Sequence, residues 1–247
     1  MELQGEPGPN EADLVLVRTT LPRLPLPPNA DRAAIATDRL ILRPLSPDDL
    51  DAMHVLRTQP EVMAWTSANR IDRDVAETQE RLDPFLPPND SKTYNFAICL
   101  RATGELIGVG GCHKLENAFG WPEIGYMFRR EHWGKGLATE FLNAFLGAWR
   151  ALPREEATIR VDQRSTVTTA AGGSSNAASS SSGAKLQQVE EQIFAITTQK
   201  NVRSQNVMKK AGAEHLLTWK AREIYDENIL VLLPTCRFFP GRIVSPQ

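Results

Sequence analysis

Residues Trp133–Glu140 read WGKGLATE and join a strand-like run, Glu123–Phe128 (EIGYMF), to a helix-like run, Phe141–Trp149. A tight, glycine-bearing turn that opens a helix leaves several backbone N–H groups unpaired at one spot, with the positive end of the helix dipole behind them. Such a place suits a phosphate or pyrophosphate. Gly134 and Gly136 admit left-handed φ values and let a ligand approach with no Cβ in the way. The stretch therefore predicts a phosphorylated cofactor.

Three phosphate-binding patterns compete for this turn. A P-loop needs GxxxxGK[ST], but Arg129 stands five residues before Gly134 and Gly136 follows Lys135, so that pattern fails twice. A dinucleotide fingerprint GxGxxG fits as far as Ala138, then meets Thr139 where a third glycine or alanine belongs. It also requires repeated βαβ units, which the chain does not supply. The third pattern, Q/R-x-x-G-x-G/A, belongs to the acyl-CoA loop of the GCN5-related N-acetyltransferases (GNAT). It aligns as Trp133-Gly-Lys-Gly136-Leu-Ala138, with Trp133 in the Gln/Arg position.

The chain resembles that family over most of its length, and within it the ribosomal-protein N-acetyltransferase branch, in which WGKG(Y/L)ATE is a common form. Residues 37–66 are similar to the branch's opening strand and first helix, TGELIGVGGCHKL (103–115) to its second hairpin, and EIGYMF to its fourth strand. Residues 192–213 resemble its fifth strand and the following helix, with Asn201, Ser204, Lys209 and Gly212 in register and Ala213 where Phe is usual. The fold implied is α/β (α+β): the GNAT fold, a central mixed, mostly antiparallel sheet splayed between strands 4 and 5 and flanked by helices.

Composition bounds the alternatives. The chain has 247 residues, 41% hydrophobic, with a formal net charge of −2. The near-neutral balance argues against a nucleic-acid partner, which calls for a basic stripe. No apolar run approaches the roughly 18–20 residues of a membrane span, and the acidic, Pro-containing start is unlike a signal peptide. Cys99, Cys112 and Cys236 are odd in number and scattered, which fits reduced thiols in a cytoplasmic or nuclear setting and predicts no metal site. The expected assembly is a monomer or weak homodimer.

The predicted organisation is a Pro-rich N-terminal extension over 1–34, an acetyltransferase domain over 35–240, and a tail over 241–247. Within the extension, Pro22-x-x-Pro25 has the minimal form of an SH3 ligand, though packing along the domain edge or a linker role is the simpler expectation, and Leu14–Val17 suits a short edge strand. Strands are expected at 39–43, 94–100, 105–113, 122–128 and 192–198, with a terminal hairpin over 215–222 and 228–234. Ser46-Pro47-Asp48-Asp49 reads as a helix start, a second helix is expected over 72–82, and Ser204–Ala211 reads as the last, closed by Gly212. The Ser/Gly/Ala/Thr tract of about 164–186 has too little apolar bulk to offset its ordering entropy and is expected to be a disordered insertion.

The family resemblance implies acetyl-CoA as co-substrate and a primary amine as acceptor, a protein N-terminus or a small molecule. It places an oxyanion-binding backbone N–H near Met127, with Phe128 and Arg129 pairing with the pantetheine. It gives the pyrophosphate the N–H groups of Gly134, Lys135, Gly136, Leu137, Ala138 and Thr139, and Trp133, grouped with these cofactor-binding residues, is expected to pack beneath the loop. Asn201 falls at the position that contacts the pantetheine, and Ser204 at the one that contacts the cofactor or protonates the leaving thiolate. The base that removes the amine proton is expected to be Glu123, with His113 as the alternative; Glu140 is expected to support the loop, and Tyr126 to face the core or the substrate slot. Specificity is expected to lie in the Trp65–Arg70 loop and the terminal hairpin. The competing reading is a catalytically inactive acyl-CoA-binding protein.

Overall fold

Side chains alternate across the central strand Tyr94–Leu100, and both faces are apolar: Tyr94, Phe96 and Ile98 on one side, Ala97 and Cys99 on the other. A strand of that kind needs cover on both faces. A computed structural model, describing residues 6–167, 186–222 and 230–240, shows how it is covered. In chain order the elements are β1 (Leu14–Pro22), β2 (Ile35–Ala36), β3 (Leu40–Arg43), α1 (Leu50–Arg57), α2 (Pro60–Met63), α3 (Val75–Leu82), β4 (Tyr94–Leu100) and β5 (Leu106–Lys114). There follow β6 (Glu123–Phe128), α4 (Leu137–Ala151), β7 (Arg154–Asp162), β8 (Gln187–Gln188), β9 (Ile193–Ile196), α5 (Val202–Lys210), β10 (Glu214–Arg222) and β11 (Leu230–Phe238).

Eight strands form the main sheet in the order β10-β11-β9-β6-β5-β4-β3-β2. Every neighbouring pair is antiparallel except β6 and β9. On one face α4 lays Phe141, Leu142, Phe145 and Trp149 against Leu40, Leu42, Phe96 and Ile98, and α5 adds Met208. On the other, Met53 and Leu56 of α1, Val62 of α2 and Leu82 of α3 cover Ala97, Cys99 and Val109.

The sheet parts between β6 and β9. Their parallel ladder has a single registered pair, Glu123 with Phe194, reinforced by Phe194 N–H donating to Pro122 O (2.7 Å). Beyond it the strands diverge, which is the splay the resemblance implied.

Two expectations need correction. The N-terminal segment is integral to the fold: β1 pairs antiparallel with β7 over nine residues, from Leu14 with Asp162 to Pro22 with Arg154, and β8 joins β1 in parallel. This small second sheet has its own core, in which Val17, Val161 and Val189 meet Phe119, Trp121 and Phe194. The strand β7 was not anticipated at all. The first residues of the stretch expected as an insertion also belong to the fold. Arg164–Thr166 lie in a 3-10 turn, where buried Ser165 accepts from Trp121 Nε1 at its Oγ (2.8 Å) and from Gln192 Nε2 at its carbonyl (2.8 Å). Residues 168–185 and the tail 241–247 lie outside the described residues.

Smaller boundary shifts have local causes. α3 starts at Val75 because Asp74 caps it, accepting from Glu77 N–H (2.9 Å). α5 starts at Val202 because Asn201 does the same for Ser204 N–H (3.1 Å).

Candidate functional site

The glycine turn is bent as its chemistry requires. Gly134 and Gly136 have φ of +73° and +78°, and Gly136 is the left-handed residue from which α4 departs. A Cβ at Gly134 would meet nothing within 4 Å, so the turn is open to a ligand. Among the described residues, none of the backbone N–H groups of Gly134, Lys135, Gly136, Leu137, Ala138 and Thr139 is donated to another group; the helix ladder begins with Glu140 N–H to Gly136 O (3.2 Å). Six N–H groups without an acceptor and a helix N-terminus thus lie together in one turn, which fits a pyrophosphate.

Trp133 packs beneath the turn, against the core. Its backbone N–H donates to Arg130 O (3.1 Å) and its indole N–H to Phe128 O (2.7 Å), so it braces the turn from beneath. Arg203 of α5 stacks over its ring at 5.3 Å. On the other side of the turn, Glu140 accepts at Oε1 from Thr37 Oγ1 (2.6 Å) and Arg39 N–H (2.9 Å), and at Oε2 from Arg39 Nε (2.7 Å). Arg39 Nη1 in turn donates to Lys135 O (2.8 Å). Burial pushes the Glu140 carboxyl up, but the bonds from Thr37 and Arg39 hold it below the usual carboxylate range.

The open edge of β6 is displaced by one residue from the expectation. Arg129 N–H donates to Ile107 O (2.8 Å), so it belongs to the β5 ladder and is not available to a ligand. Antiparallel hydrogen bonding alternates, so Met127, opposite Val109, also faces β5. Tyr126 and Phe128 turn their backbone groups to the other edge, where β9 has diverged. Phe128 O is taken by Trp133, and the N–H groups of Tyr126 and Phe128 line the gap. The Arg129 side chain is occupied with Glu105 (2.9 Å) and Ala52 O (3.2 Å).

Two side-chain pairs flank that edge. Near the start of β6, His113 Nε2 lies 3.3 Å from Glu123 Oε1, and Lys114 Nζ 3.8 Å from Oε2. Burial raises the Glu123 carboxyl, but His113 foremost, and Lys114, bring it below its ordinary pKa. The two residues weighed as alternative bases are therefore neighbours. Further along, Tyr126 Oη and Ser204 Oγ are 3.0 Å apart, bridging β6 and α5. Tyr126, expected to face the core or the substrate slot, packs against the core and presents its hydroxyl to Ser204. Asn201 spends its Oδ1 on the cap, leaving its NH₂ without a partner among the described residues. In the expected specificity loop Trp65 is exposed, while the Arg70 guanidinium is tied to Glu77.

The GNAT acetyltransferase domain model matches residues 39–214, and the chain belongs to that family. It is 30% identical over 105 residues to the uncharacterized N-acetyltransferase p20 of Bacillus licheniformis, a match covering 42% of this chain and 58% of that protein, so the chain spans under two thirds of this relative's length. A putative ribosomal-protein-serine acetyltransferase from Vibrio cholerae superposes with a TM-score of 0.54 at 15% identity, covering 84% of this chain and 98% of that one. Spermidine N-acetyltransferase from Vibrio cholerae, in complex with CoA and spermine, gives 0.57 at 15% identity, covering 83% and 98%. These likenesses establish the fold. Among the described residues no helix is long and apolar enough to cross a membrane.

Proposed function

We propose that the chain is an acetyl-CoA-dependent N-acetyltransferase that passes the acetyl group directly to a primary amine. One observation carries the reading: the undonated N–H groups of Gly134 through Thr139 stand beside a strand edge opened at Tyr126 and Phe128. A pyrophosphate on the turn sends the amide-bearing pantetheine along that edge as an added strand. The thioester then lies between the His113–Glu123 pair and the Tyr126–Ser204 pair.

The chemistry follows from the groups present. An α-amine has an ordinary pKa near 8 and a lysine near 10.4, so the acceptor must lose a proton before it attacks. Glu123, kept ionised by its neighbours, lies against His113, and the pair takes that proton directly or through water. As the amine adds to the thioester carbonyl, an N–H of Phe128 or Tyr126 donates to the developing oxyanion. The C–S bond breaks, and the thiolate takes its proton from Ser204, whose hydroxyl Tyr126 backs.

The acceptor is a protein N-terminus or a small amine; the similarity of WGKGLATE to the ribosomal-protein branch favours the former. Calorimetric titration with acetyl-CoA, followed by thiol release over a panel of N-terminal peptides and polyamines, tests the proposal. Binding with turnover is expected; binding with no turnover on any amine would indicate the inactive acyl-CoA-binding reading instead.

A further inference from the structure

The hairpin that joins β5 to β6 sets Lys114 opposite Glu123 and closes through Asn117, three residues beyond Lys114. Asn117 N–H donates to Trp121 O (2.8 Å), and Gly120 N–H donates to Asn117 O (2.9 Å). Asn117 Oδ1 accepts from the backbone N–H groups of Phe119 (2.9 Å) and Trp121 (3.2 Å). Two donors demand the amide oxygen at that place, so the NH₂ is turned away from them. The loop is held against β7: Gly120 sits at φ +80°, where a Cβ would run into Arg160 O. The Asn117 NH₂ is therefore fixed and buried, and it makes no hydrogen bond among the described residues.

A buried amide donor left unpaired is uncommon and calls for an acceptor. The acceptor at hand is the Glu123 carboxylate: burial raises it, while His113, Lys114 and then the Asn117 side chain draw it down. The other titratable groups around it all come from β5: His113, Lys114 and the Cys112 thiol, which burial pushes up and keeps neutral. The strand β9, registered alongside at Phe194, brings none. His113 and Lys114 stand 3.3 and 3.8 Å from the carboxylate oxygens, too far for the short charge-assisted bonds that would pin it. We propose that Asn117 is a positioning residue for the proton transfer: its NH₂ takes one oxygen of Glu123 through a small turn of that carboxylate and leaves the other to face His113 and the acceptor amine. The inference rests on the acetyl-transfer reading and adds the group that holds its base still.

Two exchanges separate this role from closure of the loop. Asn117→Asp keeps an oxygen for the Phe119 and Trp121 N–H groups but sets an anion against Glu123, and Asn117→Ser keeps a shorter acceptor and removes the donor. The full chain, carrying ¹³C-labelled glutamate, is titrated by NMR, with the Glu123 signal identified by its loss in Glu123→Gln. Alongside run pH profiles of kcat/KM and calorimetry with acetyl-CoA, and thermal unfolding shows that each variant folds. Asn117→Asp is expected to raise the Glu123 titration by about one pH unit or more, and Asn117→Ser by less. The acid limb of kcat/KM should move with it, a loss of about tenfold per unit below the limb, while the Kd for acetyl-CoA stays as it was. A Glu123 titration unmoved in both variants, or one that moves without the acid limb, overturns the proposal and leaves Asn117 to close the loop. A wild-type chain that turns over no amine overturns the acetyl-transfer reading and the proposal with it, a failure that the wild-type assay reports before any variant is compared.

Discussion

Tyr126 Oη and Ser204 Oγ stand 3.0 Å apart and are the hydroxyl link between β6 and α5 across the gap where the sheet parts. Burial pushes the Tyr126 phenol up to about 12, so at neutral pH it keeps its proton, and either hydroxyl can donate to the other. Ser204→Ala is expected to lower kcat about 10²-fold with the Kd for acetyl-CoA unchanged, and Tyr126→Phe to lower it less. Stopped-flow thiol release beside calorimetry separates the two quantities; a Kd that rises with no change in kcat would reduce the pair to a binding contact.

The His113–Glu123 pair predicts a pH signature. His113→Gln and Glu123→Gln should each lower kcat/KM at neutral pH by about 10²-fold, with a smaller effect where the amine is already deprotonated. Because the pair acts as a unit, the double variant should lose little beyond the worse single one. A pH-independent, negligible effect of both substitutions would remove the pair from proton transfer.

Glu140 provides a stability test with a definite sign. Its folded carboxyl lies below the ordinary value, so its contribution is fully present above the unfolded carboxylate's pKa and is lost as pH falls through the folded value. Glu140→Gln should therefore flatten the acid limb of a Tm-against-pH curve while leaving a deficit at neutral pH. An unaltered acid limb would show that the links to Thr37 and Arg39 are not formed in solution.

The N-terminal strand can be tested by subtraction. Val17 is fully buried between the small sheet and Phe119, Trp121 and Phe194. Val17→Ala should cost about 2 kcal/mol in urea unfolding, and removal of residues 1–22 should lower Tm far more and uncover the edge of β7. A truncated chain with wild-type Tm would make β1 an appendage after all.

Much of the central domain was legible because its strands and helices carry local periodicity. Tyr94–Leu100 alternates, and Leu137, Phe141, Phe145 and Trp149 fall at helical spacing, so both elements could be placed without tertiary information. The β1–β7 pair was legible only in part: Leu14–Val17 was expected as a short edge strand, but its length and its partner β7 were not. Ala157, Ile159 and Val161 do alternate, but their burial depends on a strand near the other end of the chain, and the proline-rich run after Leu21 reads as an extension. The phase of backbone hydrogen bonding along β6 was not legible for a related reason. Whether Met127 or its neighbours Tyr126 and Phe128 face the gap is set by the phase of hydrogen bonding with β5, which side-chain pattern does not encode. The His113–Glu123 contact likewise arises from strand pairing, since Lys114, not His113, is the registered partner of Glu123.

The pairing of β1 with β7 also governs how the molecule is made. During synthesis β1 emerges well ahead of β7, which follows only after the whole of β2 through α4, and β8 later still. Until then an edge that includes Leu16 and Val17 has nothing to zip onto, and closing so long a loop is slow. The nascent chain therefore holds an unpaired strand until β7 is made, and a soluble fusion partner ahead of Leu14 should raise the yield of folded protein more than the same partner placed after β11.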